Sequence, residues 1–199
     1  GGNTMATITA TTFTINDGTT ITTADNTDTL TLKSTDADAS VGPVLLFNRD
    51  SGSPANNDFL GTIDFQGDNS AGDAHDYIRI LSRILSTTDG SEQADLVIKD
   101  ATGNNIVNMA HTEVVYNDDS VDRDFRVESN GNANMLFVDG GNNHVCIGTA
   151  TDHGGVLNVD GPILMSESDT LLLRITSSSE NVKFQSRVSD KDIRFEGID

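Results

Sequence analysis

The sequence has little material for a hydrophobic core. Hydrophobic residues make up 35% of its 199 positions, aromatic residues make up 5%, and tryptophan is absent. Soluble globular domains usually have about 45–50% apolar residues, on a count that includes glycine but not tyrosine. A chain of this length could bury a sizeable core if it folded compactly. The composition therefore predicts either disorder or an elongated β-structure that completes its core against other subunits.

Cysteine and long apolar runs are nearly absent. Cys146 is the one cysteine, which excludes an intrachain disulfide framework and a multi-cysteine zinc site. The longest apolar run, Val44–Phe47, has four residues, whereas a membrane-spanning helix needs about 20. The first fifteen residues lack the basic and apolar regions of a signal peptide. We therefore expect no membrane insertion and no export signal.

Basic residues are scarce relative to acidic ones. The chain has 12 lysines and arginines against 31 aspartates and glutamates, which gives a net charge of −19. Nucleic acid is a poor partner for such a chain, because its phosphates would repel the acidic surface. The acidic residues are scattered along the sequence, which favours a solvated exterior, with cation binding as the alternative.

Alternating threonine and apolar residues are abundant in the N-terminal part. A period of two predicts β-strands, and the turn Asn16–Gly18 predicts a tight hairpin. Each strand carries one narrow apolar row, so the segment needs a partner sheet or sister chains. The predicted strands are 7–9, 13–15, 20–22 and 30–33.

Broader strands follow, each closed by a cluster of glycine, asparagine, aspartate or serine typical of turns. The stretch Tyr77–Leu85 also fits helical spacing through Tyr77, Ile80, Leu81 and Ile84, but its β-branched residues favour a strand. The predicted strands in this region are 44–47, 59–65, 77–85, 95–99 and 113–116.

After Val121 the strands become shorter, at 125–127, 135–138, 144–147, 156–159 and 163–165, and longer strands return at 171–176, 182–188 and 193–195. Such short strands must stack on neighbours along the chain and, we expect, around a threefold axis. The predicted fold class is all-β, an elongated trimeric β-prism or β-helix-like fibre with β-sandwich-like segments.

Four segments are predicted from these changes in pattern. Residues 1–40 form an N-terminal β attachment or oligomerisation segment, and residues 41–120 form a β-sandwich-like domain. Residues 121–165 form a short-strand β repeat, and residues 166–199 form a C-terminal β segment.

Residues 125 to 161, FRVESNGNANMLFVDGGNNHVCIGTATDHGGVLNVDG, resemble a repeat of bacteriophage tail-fibre and other virion structural proteins, particularly of the marine phage type. The shared order is a strand ending in Phe-Val, a Gly/Asn turn, a strand of the Asn-Val-Gly-Ile-Gly-Thr kind, a second turn and a Leu-x-Val-x-Gly strand. The sequence departs from this pattern at Cys146, where glycine is usual, and at Asp152-His153, where Ser-Pro is usual. The resemblance implies trimeric fibre shafts or connectors and carries over no catalytic residues.

His144, Cys146 and His153 lie within ten residues, which raises the possibility of a zinc site. His144 and Cys146 are two residues apart on a predicted strand and so share a face. A fourth ligand and paired cysteine spacing are missing, so we expect no metal and interpret Cys146 as a small buried hydrophobe.

Two acidic turns, Thr35–Asp38 and Asn117–Asp122, could supply oxygen ligands to calcium. Neither fits the twelve-residue loop with its bidentate glutamate and central glycine, so solvated turns are expected. Weak cation binding at a subunit interface is the alternative.

Catalytic motifs are not found. The Gly-x-Ser-x-Gly, His-Glu-x-x-His and phosphate-loop patterns are absent, and the few aromatic residues argue against a sugar-degrading cleft. We expect no enzymatic activity, no catalytic residues and no cofactor.

The sequence therefore predicts a structural component of a bacteriophage virion, namely a tail fibre, spike or appendage segment. We expect a homotrimer that contacts other virion structural proteins on the particle surface after synthesis in the host cytoplasm. One alternative is a host-receptor-binding adhesin that recognises a surface glycan through loops 48–58 or 67–76. Another is a capsid decoration protein.

Overall fold

The computed structural model describes residues 18–167, 170–178, 181–189 and 192. The chain divides into two units, Gly1–Asn48 and Arg49–Asp199. Throughout the described ranges the regular structure consists of β-strands. The predicted all-β class is confirmed.

The first unit has no strand between residues 18 and 48, the part that the structure describes. The strands predicted at 20–22, 30–33 and 44–47 are therefore wrong. A strand needs a neighbouring strand for its backbone hydrogen bonds, and local contacts occur here instead: the Ser40 backbone N–H, for example, donates to Asp38 Oδ1 at 2.7 Å. The strands predicted at 7–9 and 13–15, and most of the turn at 16–18, lie outside the described residues.

The second unit begins with a five-stranded antiparallel sheet whose spatial order equals its chain order. The strand interpretation of Tyr77–Leu85 is confirmed, and a single open sheet replaces the sandwich predicted for residues 41–120. The fourth strand was missed because asparagines interrupt its apolar pattern. The strands are β1 (Phe59–Asp68), β2 (Ala74–Ser86), β3 (Gln93–Asp100), β4 (Asn105–Met109) and β5 (Val114–Tyr116).

A four-stranded sheet follows, and its strands are β6 (Phe125–Val127), β7 (Leu136–Asp139), β8 (His144–Ile147) and β9 (Leu157–Val159). The first three strands are antiparallel, whereas β9 runs parallel to β8. The predicted strands are confirmed here to within a residue at either end.

A three-stranded antiparallel sheet completes the described chain, with β10 (Ile163–Glu167), β11 (Thr170–Ser178) and β12 (Asn181–Ser186). The strands predicted at 163–165 and 171–176 are confirmed. The one predicted at 182–188 ends at Ser186, and the one at 193–195 lies outside the described residues.

Very little of the chain is buried. Among the described residues the buried apolar side chains are those of Leu81, Val97 and Cys146. The sheets are open, and within the described ranges they form no closed barrel or prism. No described segment is a helix long and apolar enough to cross a membrane. The division of the chain into four segments stays a prediction.

Candidate functional site

The register of the first sheet gathers apolar side chains on one of its faces. Ile63 pairs with Ile80, and across the next three strands the row continues through Ile98, Val107 and Tyr116. Directly paired residues of adjacent strands point to the same face, so this row and the rows beside it form one apolar face.

This face is open to solvent. The exposed fraction is 43% for Ile63, 55% for Phe65, 40% for Leu96 and 54% for Tyr116. Large exposed apolar patches mark sites of contact with other molecules.

The opposite face of the same sheet carries the charges. Arg79 Nε lies 2.6 Å from Asp64 Oδ1 on β1, and Arg83 Nη2 lies 2.6 Å from Asp95 Oδ2 on β3. The Asp95 side chain is only 1% exposed, and Leu81 lies beside it on the same face. Most charged side chains of the sheet therefore lie on this face, although Phe59, Leu81 and Val97 share it. On the apolar face, Asp100 is directly paired with Ile78.

The second sheet also has one apolar face, and the paired residues on it are all apolar. Its pairings align two rows of four residues, and all eight side chains are apolar. The opposite face carries Cys146 and Asn158, both buried, with Asn158 Nδ2 donating to Gly155 O at 2.9 Å. The rows are Phe125, Val138, Val145 and Leu157, and Val127, Leu136, Ile147 and Val159.

The third sheet has the same two-sided character. Ile163 pairs with Ile175, which pairs with Phe184, and Met165 pairs with Leu173 on the same face. The exposed fraction is 58% for Met165 and 57% for Phe184. The other face carries Arg174 and Gln185 together with Leu164.

The three apolar faces meet at the boundaries between the sheets. The rings of Tyr116 and Phe125 have centroids 4.9 Å apart, which joins the first face to the second. A groove of about 440 Å³ between the second and third sheets is lined by Val159, Ile163 and Ile175. We call the combined face the apolar surface.

The apolar surface comprises the apolar residues on the shared face of each sheet. Its members number about as many as the 20–30 residues that one partner contributes to a standard protein interface. They are Ile63, Phe65, Ile78, Ile80, Ile84, Ala94, Leu96, Ile98, Val107, Met109, Val114, Tyr116, the eight residues of the second sheet named above, Ile163, Met165, Leu171, Leu173, Ile175, Val182 and Phe184.

The residues considered for zinc are only partly brought together. His144 Nδ1 lies 3.0 Å from Asp152 Oδ1, while His153 is exposed on the following loop. Among the described residues, no three or more histidine, cysteine or acidic side chains are arranged to hold a metal ion. Cys146 is 1% exposed, so its interpretation as a small buried hydrophobe is confirmed.

The oxygens of the acidic turn 117–122 are engaged by donors of the chain itself. Asp118 Oδ2 accepts hydrogen bonds from Asn105 Nδ2 at 3.3 Å and from Asn108 Nδ2 at 3.2 Å. In the turn 35–38, Asp36 Oδ1 accepts the Asp38 backbone N–H at 3.2 Å. Calcium binding by either turn stays a prediction.

One of the two loops considered for glycan recognition is smaller than predicted. Both ends of the loop 67–76 belong to β1 and β2, and the remaining turn is closed by Asn69, whose Oδ1 accepts the backbone N–H groups of Ala71 and Asp73. In the second unit, Arg49 lies 3.1 Å from Asp58. Both loops are held by the chain's own hydrogen bonds, and glycan binding stays a prediction.

Sequence reasoning found the apolar rows but not the surface that they form. One narrow row per strand was visible from the alternation, whereas the merging of rows depends on the register between strands. No protein-family model matches the chain, and the search of curated proteins found no significant match.

Proposed function

We propose that the protein is a non-enzymatic structural component of a bacteriophage virion, a tail fibre, spike or appendage segment, assembled as a homotrimer. The apolar surface is the observation that supports this proposal. A sheet that is apolar on one face must bury that face against another layer. The described residues of the second unit supply no such layer, and in the proposed assembly other subunits supply it.

In the proposed assembly those subunits are further copies of the same chain, and charge decides which face they can share. Each copy carries a net charge of −19, and like charges brought together at an interface cost free energy. The apolar surface consists of uncharged side chains, so it is where copies of this acidic chain can approach one another closely. Three copies, rather than two, follow from the resemblance of residues 125–161 to trimeric fibre proteins.

In this assembly the apolar surface faces the shared interior, and the charged faces and polar turns face solvent. The backbone ladders stiffen the particle appendage, while the acidic exterior keeps it soluble and limits non-specific adhesion. The finer architecture is an elongated trimeric prism or helix-like fibre that attaches to other virion structural proteins on the particle surface.

The assembly is tested by the solution mass of the full chain, measured by light scattering on a sizing column. We expect three times the monomer mass of 21.2 kDa. Met165→Asp should reduce the mass to that of a monomer, because it places a carboxylate on the apolar surface.

The matched control is Leu164→Asp. Leu164 is a neighbour of Met165 in the same strand, is 56% exposed against 58%, and points to the opposite face. Its variant should keep the mass of the parent. A monomeric parent, or equal loss of mass in both variants, would contradict the proposal.

The virion assignment is tested by immunogold labelling of the phage particles that encode the chain. Label on the tail or its appendages supports the proposal. Label on the capsid shell favours a decoration protein instead, and particles without label contradict a virion role.

A further inference from the structure

Lys99 and Asn105 are directly paired across the β3–β4 hairpin. Lys99 Nζ donates to Asn105 Oδ1 at 2.6 Å and to the backbone oxygen of Gly103 at 2.9 Å. Among the ion pairs of the described residues none involves Lys99, although the chain has 31 acidic residues. The amine is therefore held by two neutral carbonyl groups, one of which belongs to a carboxamide.

The other end of this carboxamide contacts a carboxylate. Asn105 Nδ2 donates to Asp118 Oδ2 at 3.3 Å, and the Asn105 backbone N–H donates to Asp119 Oδ2. The Asn105 carbonyl oxygen accepts a hydrogen bond from Arg123 Nη1 at 2.9 Å. The backbone and side chain of Asn105 are thus fixed, with an amine next to the amide oxygen and a carboxylate next to the amide nitrogen.

From this geometry we infer that Lys99 and Asn105 become joined by an isopeptide bond, with Asp118 as the proton carrier. The neutral Lys99 amine attacks Cγ of Asn105, a bond forms between Nζ and Cγ, and the bond between Cγ and Nδ2 breaks. Once the new bond forms, the Asp118 carboxylate takes up the proton released by Nζ and passes it to the departing Nδ2. The products are a secondary amide and one molecule of ammonia, so no oxidant or other reactant is needed.

The proximity of the two reacting groups raises the rate of this reaction. Well-oriented intramolecular groups react as though the partner were present at about 10⁵ M or more, and the hydrogen bonds above fix both reacting groups. Lysine amines attack in their neutral form, which alkaline conditions favour.

The bond would cross-link the two strands of the β3–β4 hairpin covalently. A cross-link restricts the unfolded chain and keeps the two strands paired under load. Such a cross-link suits a component that bears mechanical load. The inference of the bond does not rest on the proposed virion role. The chain could carry the bond in any assembly.

The test is the intact mass of the full chain before and after prolonged incubation at mildly alkaline pH. We expect the mass to fall by one ammonia. The Lys99→Arg variant should lose ammonia only from other sites such as Asn130-Gly131, and Asp118→Asn should slow the loss from Asn105 about a hundredfold, a common effect of removing a general acid or base. Lys183→Arg, a matched substitution on β12, should lose ammonia at the parental rate.

The position of the bond must be established as well, because cyclisation at the exposed pair Asn130-Gly131 also releases ammonia. With the isopeptide bond in place, trypsin no longer cleaves after Lys99, and fragmentation of the peptide yields no ions between residues 99 and 105. Complete tryptic cleavage after Lys99 in incubated protein, or ammonia loss from Lys99→Arg at the parental rate, would overturn the inference.

Discussion

At the scale of single residues, tight packing is confined to a few positions. Gly140 is one of them, because a Cβ atom added there would collide with the backbone oxygen of Arg123 and lie 2.9 Å from its backbone nitrogen. Arg123 in turn donates hydrogen bonds to Asp100 and to the backbone oxygen of Asn105. The glycine therefore allows the end of β7 to pack against the residue that joins the first sheet to the second.

We predict that Gly140→Ala destabilises this junction. The backbone must shift to admit the methyl group, which costs about 1–3 kcal/mol in a closely packed site. Urea denaturation followed by circular dichroism measures the change. Gly131→Ala is the matched control: nothing lies within 4 Å of its added Cβ, so its effect should stay below about 0.5 kcal/mol. Equal effects in the two variants would show that Arg123 does not confine this site.

At the scale of elements, the sequence predicted strands well where a neighbour in the chain could pair with them. The strands at 77–85 and 144–147 were recognised from alternation and β-branched residues. The predictions at 20–22, 30–33 and 44–47 failed although their patterns are similar. An alternating sequence pattern shows that a segment favours the extended conformation. A strand also needs the free edge of a neighbouring strand with which to form hydrogen bonds.

The turns that connect the strands are held by carboxylates, which makes stability depend on pH. The pKa of Asp100 is lowered, chiefly by the Thr102 hydroxyl and also by the backbone N–H groups of Asn104 and Thr102. The pKa of Asp139 is lowered, chiefly by the Asn142 side chain and also by its backbone N–H. In both turns the ionised carboxylate is the hydrogen-bonded form.

We predict that the free energy of unfolding falls as the pH drops below the ordinary aspartate value of 3.8. Because both carboxyl groups have a lower pKa folded than unfolded, their contribution is complete above that value and is lost as the pH falls through the folded pKa. Urea titrations at several pH values in this range measure the slope of the free energy of unfolding against pH. The double variant Asp100→Asn, Asp139→Asn should show a shallower slope, and an unchanged slope would contradict the prediction.

At the scale of the whole molecule, two features oppose each other. The apolar surface favours association, whereas a net charge of −19 on each copy opposes it. The balance depends on salt, because dissolved ions screen exposed charges but hardly affect the transfer of apolar groups from water at moderate concentrations.

We predict that the proposed trimer becomes more stable as salt is added. Raising the ionic strength from about 0.01 M to about 0.15 M shortens the Debye length from about 30 Å to about 8 Å, which weakens repulsion between the copies. Sedimentation velocity at a fixed low protein concentration should show a larger trimer fraction at the higher salt. The Met165→Asp variant should remain monomeric at both salt concentrations. Dissociation on adding salt would instead indicate that ion pairs hold the copies together.

The sequence by itself determined the all-β class, most strands of the second unit and the burial of Cys146, because alternation and turn residues act over a few neighbouring positions. Only the tertiary structure decided that Ile63, Ile98 and Tyr116 share a face, and that Lys99, Asn105 and Asp118 meet. Both depend on strand register, which joins residues far apart in the chain. A shift of one position would move every side chain of a strand to the other face.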